Sequence, residues 1–452
     1  MSLRIIELND CDVRVTGEEG FVARSPGFAL LSNKGLKLGE AAEKQARLHP
    51  TRSFNKFWHQ LSLEPLTHSM GGVRHHADLA YAHLLHLAEL AGLKDDVMLA
   101  VPGNFTSHQL SILLGLAKQC PFRTIGVVDS ALAAVAGRAG NQSLVYIDLQ
   151  LHQILLSRFS VRDGILERDS VIQVPGVGSQ NFLDLMMQFA TSLFIQQCRF
   201  NPQHNAESEQ QLYNELPSLL SQARDQSSSL MMELKAGSSV HQAKISQEGL
   251  KRKLNAYYQK IAQQLKTLVG NESSQVLVSQ RLGEFPGFLE SFADFGAIDL
   301  ISPEELGRSC MINSEHIGAV GGELRFVTSL PFVQSQSRSG KRAGSKPENQ
   351  EDPTHVLFED WALPLGRVEI NNRESVNGSG ITSGNINLAV KGLPDYLGQL
   401  ERRGNEVFIL CGESGAFLNN EKIAGKRRLH RGDRLRFSER SKELSLIRVH
   451  DE

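Results

Sequence analysis

The most constraining stretch runs from Val101 to Gly137. It opens Val101-Pro102-Gly103-Asn104-Phe105, continues through an amphipathic segment at Ser107–Ala117, then Thr124-Ile125-Gly126-Val127-Val128-Asp129, and closes on the small-residue run Ser130–Gly137. Pro-Gly after an apolar run ends a strand in a rigid turn, and the periodicity that follows is helical. The next apolar run is short enough for a buried strand, and Ala, Val and Gly make a further helix. Strand, helix, strand and helix in succession define an α/β chain.

The remainder supports that class. Strands are expected at Leu3–Leu8, Val13–Thr16, Phe28–Ser32, Leu144–Ile147, Ile154–Phe159, Val240–Ile245 and Gln275–Val278. Helices are expected at Lys37–Gln45, Gly72–Ala91, Phe182–Phe194, Leu219–Met232, Ser246–Leu268 and Pro303–Cys310, with a polar Gln/Asn-rich connection at Asn201–Glu215. Residues 333–352 lack any aliphatic or aromatic run and read as a disordered linker. Beyond them the texture changes to short strands and turns, as in Gly366–Ile370, Val407–Leu410, Gly415–Ile423 and Leu429–Phe437. At 452 residues several domains are expected.

The motifs in the Val101–Gly137 stretch resemble the ATPase domain of the DnaK-type 70-kDa heat-shock chaperones. That family carries V-P-A-x-F, a helix, and a strand leading into N-E-P-T-A-A-A-x-A-x-G. Gly39 in Lys37–Gln45 resembles its G-x-x-A-x-x-Q segment. The resemblance implies a duplicated, two-lobed actin-like fold over residues 1–330, with lobe I at about 1–140 and lobe II at about 141–330. The tail at 355–452 resembles a forkhead-associated β-sandwich, through Gly366-Arg367, Gly415–Ile423 and Leu429–Phe437.

Each phosphate loop of the family can be sought here, because backbone amides reach an anion only where glycines clear the way. The D-L-G-T-T loop corresponds to Glu7-Leu8-Asn9-Asp10-Cys11, with Asn9 for glycine and a carboxylate at Asp10 that repels a triphosphate. Glu7 is the candidate for the family's Mg²⁺-binding aspartate. D-L-G-G-G-T corresponds to Asp148-Leu149-Gln150-Leu151-His152-Gln153, where Asp148 survives and every glycine is gone. The third loop is Ser279–Glu284, with Arg281 as a candidate to stack on adenine. Gly178, in Pro175–Phe182, resembles the glycine of G-G-E-D-F that faces the nucleotide. Lys56 is the candidate for the catalytic lysine, and Gln222–Ser229 offers only Arg224 and Asp225 for the adenine clamp. If a nucleotide binds, Asn9, Asp10, Gln150, Gly178 and Arg281 are its contacts. In the tail, Arg367 and Ser383 match the phosphothreonine contacts of the resembled sandwich.

Framework positions (Gly39, Pro102, Gly137) are thus kept while ligand glycines are lost. A non-catalytic protein-binding scaffold with no cofactor is expected. Two alternatives stand: a divergent ATP/Mg-binding protein with slow turnover, and a phosphopeptide reader acting through the tail. Bulky side chains should close the cleft, bringing Asn9 or Asp10 within hydrogen-bond reach of Gln150–Gln153. His75, His76, His83 and His86 read as surface and interface histidines on one helix. With 48 basic and 50 acidic residues, no nucleic-acid or membrane partner is expected. Five dispersed cysteines and the early acidic residue Glu7 point to a reducing, cytoplasmic location.

Overall fold

The computed structural model describes residues 3–33, 35–70, 72–140, 142–224, 229–270, 274–319, 323–332 and 353–358. In the tail it describes 361–372, 380–382, 385–388, 390, 393–403, 406–412, 414–418, 421–423, 425–429, 433–438 and 441–447. The chain divides into two compact units, Met1–Ser337 and Arg338–Glu452. The expected linker at 333–352 lies outside the described residues.

The first unit is mixed α/β and repeats one strand plan. In each half, three consecutive strands form an antiparallel meander and two later strands add in parallel beside the first of the three. In the first sheet the meander is Arg4–Glu7, Val13–Gly17 and Gly20–Ser25, and the additions are Asp96–Val101 and Arg123–Asp129. In the second it is Ser143–Leu149, Gln153–Arg162 and Ile165–Pro175, followed by Ser274–Ser279 and Ile298–Ile301. The chain then stitches the two together. Phe326–Val327 pairs with the edge of the first sheet, and Ser329–Pro331 with the edge of the second.

Three apolar clusters follow from that plan. One lies under each sheet, and a third joins Ile5, Met98 and Val128 of the first sheet to Tyr146, Phe159 and Leu277 of the second. The helix Ser130–Val135 belongs to this third cluster and is buried at every position. Small residues are what a helix enclosed on all sides accommodates. Asp129 caps it, accepting from the amides of Ala131 (2.8 Å) and Leu132 (3.2 Å).

Two expected elements move. The helix expected at Leu219–Met232 is instead Ala206–Arg224, built from the polar stretch, because Leu212, Tyr213, Leu216 and Leu219 fall on one buried face. Met231 and Met232 belong to the strand Ser229–Ala236, where Leu230, Met232 and Leu234 alternate inward with a period of two. The long helix begins at His76 rather than Gly72, since Val73–His75 pairs as a strand and Asp78 accepts from the amide of Arg74 at 2.7 Å.

The second unit has two six-stranded sheets whose inner residues, among them Val356, Ile370, Leu400, Ile409, Leu435 and Leu444, form one core. The expected hairpin at Gly415–Ile423 is present as Ala416–Leu418 paired with Glu421–Ile423.

Candidate functional site

The turns after the first strand of each sheet face one another. Asn9 spans them: its amide donates to Asp148 Oδ2 (2.9 Å) and to the carbonyl of Leu149 (3.0 Å), and its oxygen accepts from the amide of Cys11 (3.0 Å). The amide of Leu151 donates to Asp10 Oδ1 at 2.7 Å. The expected contact between the two turns is therefore made, by Asp10 directly onto the Gln150–Gln153 hairpin. The bulky residues occupy the interior as well. Leu151 packs with Phe28, Leu30 and Ala42, and the Gln153 side-chain amide donates to Gln150 Oε1 at 2.7 Å.

Arg281 lies on the short helix Gln280–Gly283 that follows the strand Ser274–Ser279. Its guanidinium donates to Glu7 Oε1 at 3.2 Å and approaches Asp148 Oδ1 at 4.0 Å. The sequence suggested an adenine contact. The structure places this cation between two acids instead, in the position of a bridging charge. Burial pushes the carboxyl groups of Glu7 and Asp148 upward, opposed chiefly by Arg281 in both cases. Burial also raises Asp10 to about 6, against the hydrogen bond from Leu151. Burial alone would lower the pKa of Arg281, but the carboxylates of Glu7 and Asp148 outweigh it and raise it.

Gly178 precedes the helix Ser179–Cys198. The first amides of that helix are already used: Ser179 donates to the carbonyl of Gln150 (2.9 Å) and Gln180 to that of Leu151 (3.0 Å). A Cβ on Gly178 would stand 2.4 Å from the Leu151 oxygen and from the His152 carbonyl carbon. The glycine therefore admits hairpin backbone, and a helix N-terminus that could hold an anion holds peptide carbonyls.

Lys56 is exposed. It sits near His59 and His152, and its charge helps to hold both imidazoles below their ordinary range, burial being the larger cause. Arg224 ends its helix, and Asp225 lies outside the described residues. In the second unit Arg367 is exposed on the strand Arg367–Asn371, opposite Glu401, while Ser383 lies outside the described residues.

Other buried polar contacts were not anticipated. His83 is fully buried rather than superficial. It accepts from Trp58 Nε1 at Nδ1 (2.9 Å), so its proton is on Nε2, 2.7 Å from Ser25 Oγ. Burial lowers its pKa to about 3. Asp129 pairs with Arg168 of the second sheet, and Arg168 also donates to the carbonyl of Gly103 (3.2 Å). A Cβ on Gly103 would lie 2.5 Å from Asp129 Oδ2, so the glycine of the Pro-Gly turn makes room for that pair. An acidic residue just before a helical run is a cap signal legible in the sequence. Arg168 has no such local mark.

Beside Arg281 is a cavity of about 360 Å³, lined by Cys11, Ser179, Leu183 and Phe285 among others. No group of three or more potential metal ligands occurs among the described residues. None of the described helices is long and apolar enough to cross a membrane. Neither a protein-family model nor a curated protein matches the chain.

Proposed function

We propose that Met1–Ser337 is a degenerate actin-like ATPase domain of the heat-shock type, serving as a non-catalytic scaffold for a protein partner. The repeated strand plan, with its small-residue helix enclosed between sheets, supports the architecture. The observation that carries the functional reading is the Arg281 guanidinium bonded to Glu7 beside Asp148. A triphosphate needs free amides and a metal between carboxylates. Here a protein cation stands between the acids, and the nearest helix amides hold carbonyls. The residues present do not fit Mg-ATP.

Calorimetric titration with Mg-ATP should give no saturable heat, and turnover should not exceed that of Asp148→Ala. ATP hydrolysis by the native chain that disappears in Asp148→Ala would overturn the reading.

One observation favours a second reading, a divergent protein with weak ATP affinity: the 360 Å³ cavity beside Arg281, with Phe285 on its wall. The same titration separates the two, because binding without turnover would support it. For the second unit we infer a protein-binding module; of the two phosphothreonine contacts the resemblance implies, only Arg367 falls among the described residues. Free cysteines throughout the described residues fit a reducing, cytoplasmic location.

A further inference from the structure

A second cavity of about 270 Å³ opens on the other side of the Asp10 turn. Its wall includes Asp10, Trp58, His59, Asn104, Phe105 and Gln153. The space equals about nine waters at the volume each takes in the liquid.

Three features set it apart. First, buried atoms without a hydrogen-bond partner concentrate on its lining residues: Asn104 Oδ1, Gln153 Oε1 and His59 Nδ1. Gln153 is 1% exposed, so this is an interior acceptor, and its nitrogen is already spent on Gln150. Buried acceptors left unpaired are costly and call for a donor. His59 is held neutral by burial and by Lys56, so in its Nε2-protonated tautomer Nδ1 is a third acceptor. Second, no lysine or arginine is among the described residues that line the cavity, which disfavours a phosphate or other anion. Third, Asp10, the one ionisable acid among the described lining residues, shares the wall with the aromatic residues Trp58 and Phe105.

We propose that this cavity binds a small organic cation, an ammonium or guanidinium group on a short aliphatic chain. The N–H groups would donate to Asn104, Gln153 and His59, and the charge would face Asp10 and the aromatic wall. The site shares Asp10 and Gln150 with the nucleotide contacts the resemblance implies, but it uses neither Arg281 nor the amides of the Ser179–Cys198 helix, so titration with a cation and titration with Mg-ATP test the two readings separately.

The test is calorimetry on the full chain with two probes, agmatine and putrescine, against 1,4-butanediol and succinate as a neutral and an anionic probe of similar length. At least one cation should give saturable heat at millimolar concentration, and butanediol and succinate none. Asn104→Leu and Gln153→Met should each weaken the cation about tenfold while leaving the circular dichroism spectrum unchanged. Silence from both cations, equal binding of butanediol or succinate, or affinity unchanged in both variants would each overturn the proposal. Should Gln153→Met fail to fold, the discrimination among probes by the native chain and the Asn104→Leu result still decide.

Discussion

Burial forces a choice on Asp10. The residue is 5% exposed, and its carboxyl is pushed up to about 6. A carboxyl whose folded pKa lies above its unfolded value near 4 binds its proton more tightly when folded. The resulting stability is complete below the unfolded pKa and is lost as pH rises through about 6. Asp10→Asn keeps an oxygen for the Leu151 amide and cannot ionise. We expect it to raise stability above pH 6 by as much as about 3 kcal/mol, with the gain disappearing near pH 4. Urea midpoints measured across that range check it, and an equal effect at both ends would contradict the assigned cause. His83 works in the opposite sense. Held neutral at a pKa of about 3, it withdraws stability as pH falls below its ordinary range.

At the scale of elements, the hairpin after Asp148 and the helix Ser179–Cys198 form one unit. Two helix amides donate to hairpin carbonyls, and Gly178 lies against the same backbone. Because the obstruction at 2.4 Å is main chain and not a flexible tip, Gly178→Ala must displace the helix or the hairpin. A loss of about 3 kcal/mol is expected in urea unfolding. A change below about 0.5 kcal/mol, the range of neutral surface substitutions, would show that the approach relaxes freely. The glycine is visible in the sequence, but its reason is not. A ligand and a neighbouring backbone impose the same demand for a missing Cβ, and only the packed structure says which one is present.

Across the whole first unit, the buried Asp129–Arg168 pair ties the sheets at the point where the Pro-Gly turn passes. Asp129 is completely buried, so removing Arg168 takes away its counter-charge and leaves it the donors Ala131 and Leu132. Arg168→Ala should cost about 3–5 kcal/mol near neutral pH. Adding Asp129→Asn to it should recover part of that loss. A double variant no more stable than Arg168→Ala would argue against an electrostatic origin. Much of this architecture was legible beforehand, because alternating and helical periodicities are local and the Val101–Gly137 order implies α/β layers. The failures are also physical. Leu219–Met232 reads as one helix because its apolar residues fit more than one period, and pairing of Ser229–Ala236 with Ser239–Ser246 decides the matter.

What the sequence by itself determined is the α/β class, most elements of the first unit, and the change to short strands in the tail. Those are properties of single residues and short windows, where side-chain size and period act directly. Tertiary structure alone decided that Arg281 reaches Glu7 across 274 positions of chain, that Arg168 meets Asp129, and that His83 is interior. A charge selects its partner by proximity after folding, and burial sets the strength of that choice. Neither quantity exists along the chain until the two sheets have come together.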